Sequence, residues 1–101
     1  MELTVHTFRA DCTGKEAALK PLEEAAEAYA AWQDLQVARI GACLAALGDL
    51  EDLEDEVLEG LADEIADCVT ACANLAERYG LDLQAALDRV EAYNRNRGRY
   101  D

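Results

Sequence analysis

The chain has 101 residues, half of them apolar, and a formal net charge of −13. That length makes one domain and is too short for two. The acidity excludes a nucleic-acid backbone as partner, because such binding needs Lys and Arg to displace condensed counterions.

A small anionic substrate stays open, since a bound divalent cation inverts the local charge logic. Leu, Ala and Glu dominate, Pro21 is the single proline, and the sole alternating run is short and N-terminal. The pattern predicts an all-α fold: a compact antiparallel array of about four helices. A domain this small buries a modest share of its surface alone, so the expectation is a homo-oligomer, dimer or tetramer. Cys12, Cys43, Cys68 and Cys72 fit no zinc spacing and are expected as buried, reduced thiols. No leader pattern opens the chain and no apolar run approaches the ~20 residues of a membrane span. The expected location is the cytoplasm, with no membrane partner.

Residues 1–14 read as an extended arm, with Leu3, Val5 and Phe8 its apolar positions and His6 an ordinary surface residue. Thr13 is placed to cap a turn starting at Lys15, and Pro21 lies where a helix kinks or restarts. The first helix is expected to run to about Asp34 and a second from Leu35 to Leu47, ending at Gly48. Asp49 to Glu56 reads as a solvated acidic connection. The longest helix is expected from about Leu53 to Tyr79, closed by Gly80. A last one follows, capped by Asp82 and running to about Asn94 before a basic tail, 95–101.

On the longest helix, Leu58, Leu61, Ile65, Cys68, Cys72, Leu75 and Tyr79 recur at spacings of three and four, a single core seam. The stripe beside it reads Gly60, Glu64, Asp67, Ala71, Asn74. The first helix repeats the arrangement: Ala18, Leu22, Ala25, Tyr29 and Trp32 form its seam, beside a stripe of Lys20, Glu24, Glu27 and Ala31. The aromatics of that seam are expected in the core. Two helices thus each offer an i, i+3 carboxylate pair. If they pack antiparallel, four acids converge, which repulsion forbids without a cation between them. All-oxygen ligation with no histidine in reach favours Mg²⁺ or Mn²⁺ over zinc, copper or iron.

The residues then carry a resemblance. The string Lys20-Pro21-Leu22-Glu23-Glu24-Ala25-Ala26-Glu27 is similar to the K-x-x-E-E-x-x-E opening of MazG-like nucleotide pyrophosphohydrolases. Asp63-Glu64-Ile65-Ala66-Asp67, followed by Asn74 to Leu83, resembles that family's E-x-x-D helix and its continuation. Asn96-Arg97-Gly98-Arg99-Tyr100 resembles its tail. The resemblance implies that Glu24, Glu27, Glu64 and Asp67 hold Mg²⁺ at a (deoxy)nucleoside triphosphate, which water cleaves to monophosphate and pyrophosphate. It makes Glu24 and Glu64 catalytic, with Glu23 a supporting residue or base. Lys20 can reach a phosphate or neutralise the neighbouring acids. Arg95, Asn96, Arg97, Arg99 and Tyr100 are the expected substrate grip, arginine's planar fork matching phosphate oxygens. The chain departs from the pattern at Ala71, where many members carry Tyr, in the long stretch from Ala28 to Asp63, and in lacking the lysine that precedes the tail.

Two functions follow: a Mg²⁺-dependent nucleotide pyrophosphohydrolase or, as the alternative, a non-catalytic helical oligomerisation or nucleotide-binding module whose acids keep it soluble.

Overall fold

The computed structural model describes the backbone of residues 1–45 and 50–100 and the side chains of 1–41 and 53–100. Among the described residues the chain is all-α, with no strand and three helices: α1 (Gly14–Ala45), α2 (Leu50–Arg78) and α3 (Leu83–Asn96). No described helix is long and apolar enough to cross a membrane.

Local chemistry sets most of the ends. At the start of α1 the Glu16 amide donates to Thr13 Oγ1 at 3.2 Å and the Thr13 amide donates to Glu16 Oε2 at 3.1 Å, a reciprocal capping box that satisfies two otherwise orphan donors. Helix α2 stops because Gly80 takes φ +64°. Its amide donates to the Glu77 carbonyl and the Leu81 amide to the Ala76 carbonyl, the Schellman closure of a helix C-terminus. Asp82 then caps α3, accepting from the Ala85 amide at 3.0 Å.

The expected count of four helices is corrected to three. The break foreseen after Asp34 does not occur, because Leu35 and Ala38 are buried and only continued helix puts both on one line against α2. Pro21 lies inside α1. Losing its amide removes the helical donor to the Ala17 carbonyl, at about 3 kcal/mol in a helix interior, and the packing of all that follows against α2 outweighs the loss. The acidic stretch foreseen as a connection is helical from Leu50 onward; Arg39 Nε donates to Glu54 Oε1 at 2.9 Å, tying that turn to α1. Gly48, the foreseen helix end, lies outside the described residues, as does the side chain of Cys43.

Cross-helix contacts make the α1–α2 pair antiparallel. Cys68 Sγ donates to the Pro21 carbonyl at 3.7 Å, Arg39 meets Glu54, and a methyl on Gly14 would come within 2.6 Å of the Tyr79 hydroxyl oxygen. The N-terminal arm crosses α2, where the Phe8 amide donates to Asn74 Oδ1 at 2.9 Å. None of the residues of α3 is buried.

The buried apolar residues are Leu35, Ala38, Ala71, Ala73 and Ala76, which corrects two expectations. Leu22, Tyr29 and Trp32 of α1 and Leu58, Ile65 and Tyr79 of α2, foreseen as core, are exposed, although the Tyr29 and Trp32 rings stack with centroids 5.8 Å apart. Cys72 is exposed and Cys12 and Cys68 half-buried, so these thiols are reduced but not core. The helices meet instead along the line of small and acidic residues. Nor is the single chain compact: it measures 51 × 41 × 20 Å with a radius of gyration of 17.6 Å, against about 13 Å for a globular domain of this length.

Candidate metal centre

Glu24 and Glu27 project from α1 and Glu64 from α2, and each offers a carboxylate oxygen within 4.8 Å of the other two. The helix–helix line brings them there: Glu24 shares it with Ala31 and Ala38, Glu64 with Gly60 and Ala71, so small neighbours let the backbones approach while the acids fill the gap.

Glu24 decides the character of the site. Only 7% of it is exposed. Its Oε1 faces Lys20 Nζ at 3.1 Å, and its Oε2 is enclosed with no hydrogen-bond partner. Glu64 Oε2 is enclosed and unpartnered in the same way. Two enclosed carboxyl oxygens without hydrogen-bond partners are costly arrangements that a folded protein keeps for a reason. The crowding also shows in Glu27, whose carboxyl is raised above its ordinary 4.5, first by hydrogen bonding and charge from Glu24, then by burial and Glu64. Like charges in one site hold on to a proton. An all-oxygen ligand set that includes two partnerless oxygens suits a hard divalent cation.

The remaining foreseen site residues divide. Asp67 is exposed and stands outside the group of three, one turn further along its stripe. Glu23 is exposed and turns to Lys20, 3.8 Å away. Lys20 spans Glu23 and Glu24, so it neutralises acids, the plainer of its two foreseen roles; that pairing raises its own pKa. An open cleft of about 190 Å³ adjoins the cluster, lined by Ala31, Asp34, Val57, Gly60 and Glu64. Asp34 was missed as a site residue, yet it continues the Lys20–Glu24–Glu27–Ala31 spacing by one step; placing the helix end there hid it.

No family model, curated protein or solved structure matches this chain.

The C-terminal residues foreseen as a substrate grip are held among themselves. Arg95 Nη2 donates to Glu91 Oε1 at 2.8 Å and its guanidinium lies 4.9 Å from the Tyr100 ring centroid. Arg97 lies over the Tyr93 ring at 4.6 Å and donates to Asn94 Oδ1 at 3.0 Å. The Arg99 amide closes the turn onto the Asn94 carbonyl, and Asn96 ends α3 exposed. Among the described residues no hydrogen bond or ion pair joins this segment to the carboxylates.

Proposed function

We propose that the chain is a divalent-metal-dependent nucleotide pyrophosphohydrolase of the MazG-like kind, acting on a (deoxy)nucleoside triphosphate. One observation carries the reading: a buried carboxylate, Glu24, with an enclosed partnerless oxygen beside a second such oxygen from Glu64. The ordered motifs of the sequence supply the substrate class. Glu24, Glu27 and Glu64 would hold Mg²⁺, or Mn²⁺, and Asp67 would join them from the next turn.

A cation held there would polarise phosphoryl oxygens, ease deprotonation of the attacking water and neutralise the leaving pyrophosphate. In the reaction a water oxygen bonds to the α-phosphorus and the bond from that phosphorus to the α–β bridging oxygen breaks. Pyrophosphate leaves with that oxygen, and the water's proton passes through a carboxylate to solvent. Glu64, which lines both the cluster and the cleft, would orient the water; Glu23 is the alternative proton acceptor at the rim. Lys20 holds the first-helix carboxylates in position. The roles of Arg95, Asn96, Arg97, Arg99 and Tyr100 in gripping phosphates rest on the chemistry of arginine and on the sequence resemblance.

The non-catalytic reading draws on the exposed apolar side chains, which an oligomerisation module would use. Pyrophosphate release from a panel of canonical and modified nucleoside triphosphates, with Mg²⁺ or EDTA, separates the two. Metal-dependent turnover is expected, falling more than about 100-fold in Glu24→Gln, since losing a ligand exceeds the 10–100-fold typical of losing its supporting partner. No turnover with any nucleotide in folded protein would refute the enzyme.

A further inference from the structure

Two thiols of α2 take no part in the carboxylate chemistry. Cys68 and Cys72 stand four residues apart, so successive turns of the helix bring them to one face. Cys68 is half-buried and donates to the Pro21 carbonyl of α1 at 3.7 Å, while Cys72 is exposed. The two thiols act on each other: Cys72 is pushed above its ordinary 9.0, first by burial and then by the charge and hydrogen bonding of Cys68. Cys12 is engaged elsewhere, its sulfur accepting from Arg78 Nη1 at 3.8 Å.

We propose that Cys68 and Cys72 form a binding site for one soft monovalent metal ion of the Cu⁺ class, held between their two sulfurs. The spacing is the first reason. On successive helical turns the Cβ atoms lie about 5–6 Å apart. A disulfide needs about 3.5–4.5 Å between them, so an intact α2 keeps the pair as thiols. Metal–thiolate bonds of about 2.3 Å let one ion join sulfurs up to about 4.6 Å apart, and a bridging atom closes the gap that a direct sulfur–sulfur bond cannot.

The number of ligands is the second. Among the described residues, Glu24, Glu27 and Glu64 are the one group of three or more His, Cys, Asp or Glu that can meet on an ion. No third such ligand joins the two cysteines. Zinc, which takes four, is left unsatisfied there, whereas soft thiolates select Cu⁺, which two of them in line suffice to hold. The surroundings are the third. The pair stands beside Ile65 and Val69, and the acids Asp63 and Asp67 lie about 100° or more round α2 from it. The helix pair thus sorts cations by softness, oxygen ligands on one side and sulfur on the other. Binding replaces two S–H bonds with two S–Cu bonds and releases two protons to solvent, with no electron transferred. One of those protons is the one that Cys68 shares with the Pro21 carbonyl, so loading exchanges a cross-helix contact for a clamp within α2. The inference rests on the thiols alone and is independent of the enzymatic reading.

Competition for Cu⁺ between the full chain and a coloured Cu⁺ chelator, with oxygen excluded, tests it. In a chain carrying Cys12→Ala and Cys43→Ala, one Cu⁺ per chain is expected, with new sulfur-to-copper absorption in the ultraviolet and no displacement by excess Mg²⁺. Adding Cys72→Ala, at an exposed position, should weaken binding by more than about 100-fold, as for the loss of a ligand, with helical circular dichroism retained. No transfer of Cu⁺ from the chelator overturns the proposal, as do one ion shared by two chains, release by Mg²⁺, or equal affinity with and without Cys72. If the variant loses helicity, the unmodified chain decides: Cu⁺ should protect Cys68 and Cys72 from alkylation, read by peptide mass, and labelling of both that ignores Cu⁺ overturns the proposal.

Discussion

Replacing Glu64 with glutamine should shift stability in opposite directions with and without a divalent cation. Glu24 and Glu64 bring carboxylate oxygens to within 4.8 Å. Two unit charges at that separation repel by about 0.9 kcal/mol in water and about 3.5 kcal/mol at the effective dielectric of a protein edge. Glu64 is half-buried, so solvent screening favours the lower end, about 1 kcal/mol. Metal-free Glu64→Gln should therefore melt about 4–8 °C above wild type, the usual conversion for a domain of up to about 100 residues. Wild type at ten times its Mg²⁺ dissociation constant should gain about 1.4 kcal/mol by mass action, or about 6–11 °C, and the variant should lose most of that gain. The assay is thermal melting by circular dichroism in EDTA and across a Mg²⁺ titration. Equal melting of wild type in EDTA and Mg²⁺, together with no rise for metal-free Glu64→Gln, would refute the reasoning, because the acids would then be neither crowded nor ligands.

The raised Glu27 carboxyl gives a pH dependence with a definite sign. A carboxyl that binds its proton more tightly when folded stabilises the fold fully below its ordinary 4.5 and loses that contribution as pH rises through the raised value. Metal-free protein should thus lose melting temperature as pH climbs above 4.5, and Glu27→Gln should flatten that part of the curve; parallel curves for the two proteins would exclude Glu27 as the source. In the helix interface, Leu35→Ala should cost about 3 kcal/mol, the middle of the range for buried leucine, read as a lower midpoint in urea at unchanged slope. A cost below about 0.5 kcal/mol would mean that Leu35 does not anchor α1 on α2.

Features that depend on a few neighbouring residues were legible in the sequence. Thr13 and Asp82 are caps and Gly80 is a stop, because each acts within one turn of backbone. Of the four acids expected to converge if the two helices packed antiparallel, Glu24, Glu27 and Glu64 do so and Asp67 stands outside. What misled was the choice of face. Larger side chains at Leu22, Tyr29 and Trp32 suggested a core, but close approach of α1 and α2 is made by Ala31, Ala38 and Ala71, and period alone does not say which of two adjacent stripes meets the neighbouring helix. The continuity of α1 through Pro21 and Leu35 was also hidden, because it depends on packing against a helix far along the chain. Likewise the Phe8–Asn74 hydrogen bond links residues 66 positions apart, a separation no local pattern reports.

The turn at Gly80 has a consequence for the far end of the chain. Helix α3 has no buried residue to fix its direction, so its heading is set by the two backbone hydrogen bonds at Gly80 and Leu81 and by the Asp82 cap. Fourteen residues of helix reach about 21 Å from that pivot, and all four C-terminal arginines, 89, 95, 97 and 99, ride on it or just past its end. A change of a few degrees at one left-handed glycine is thus magnified by a lever: four of the molecule's nine basic residues are aimed by a residue that carries neither charge nor side chain.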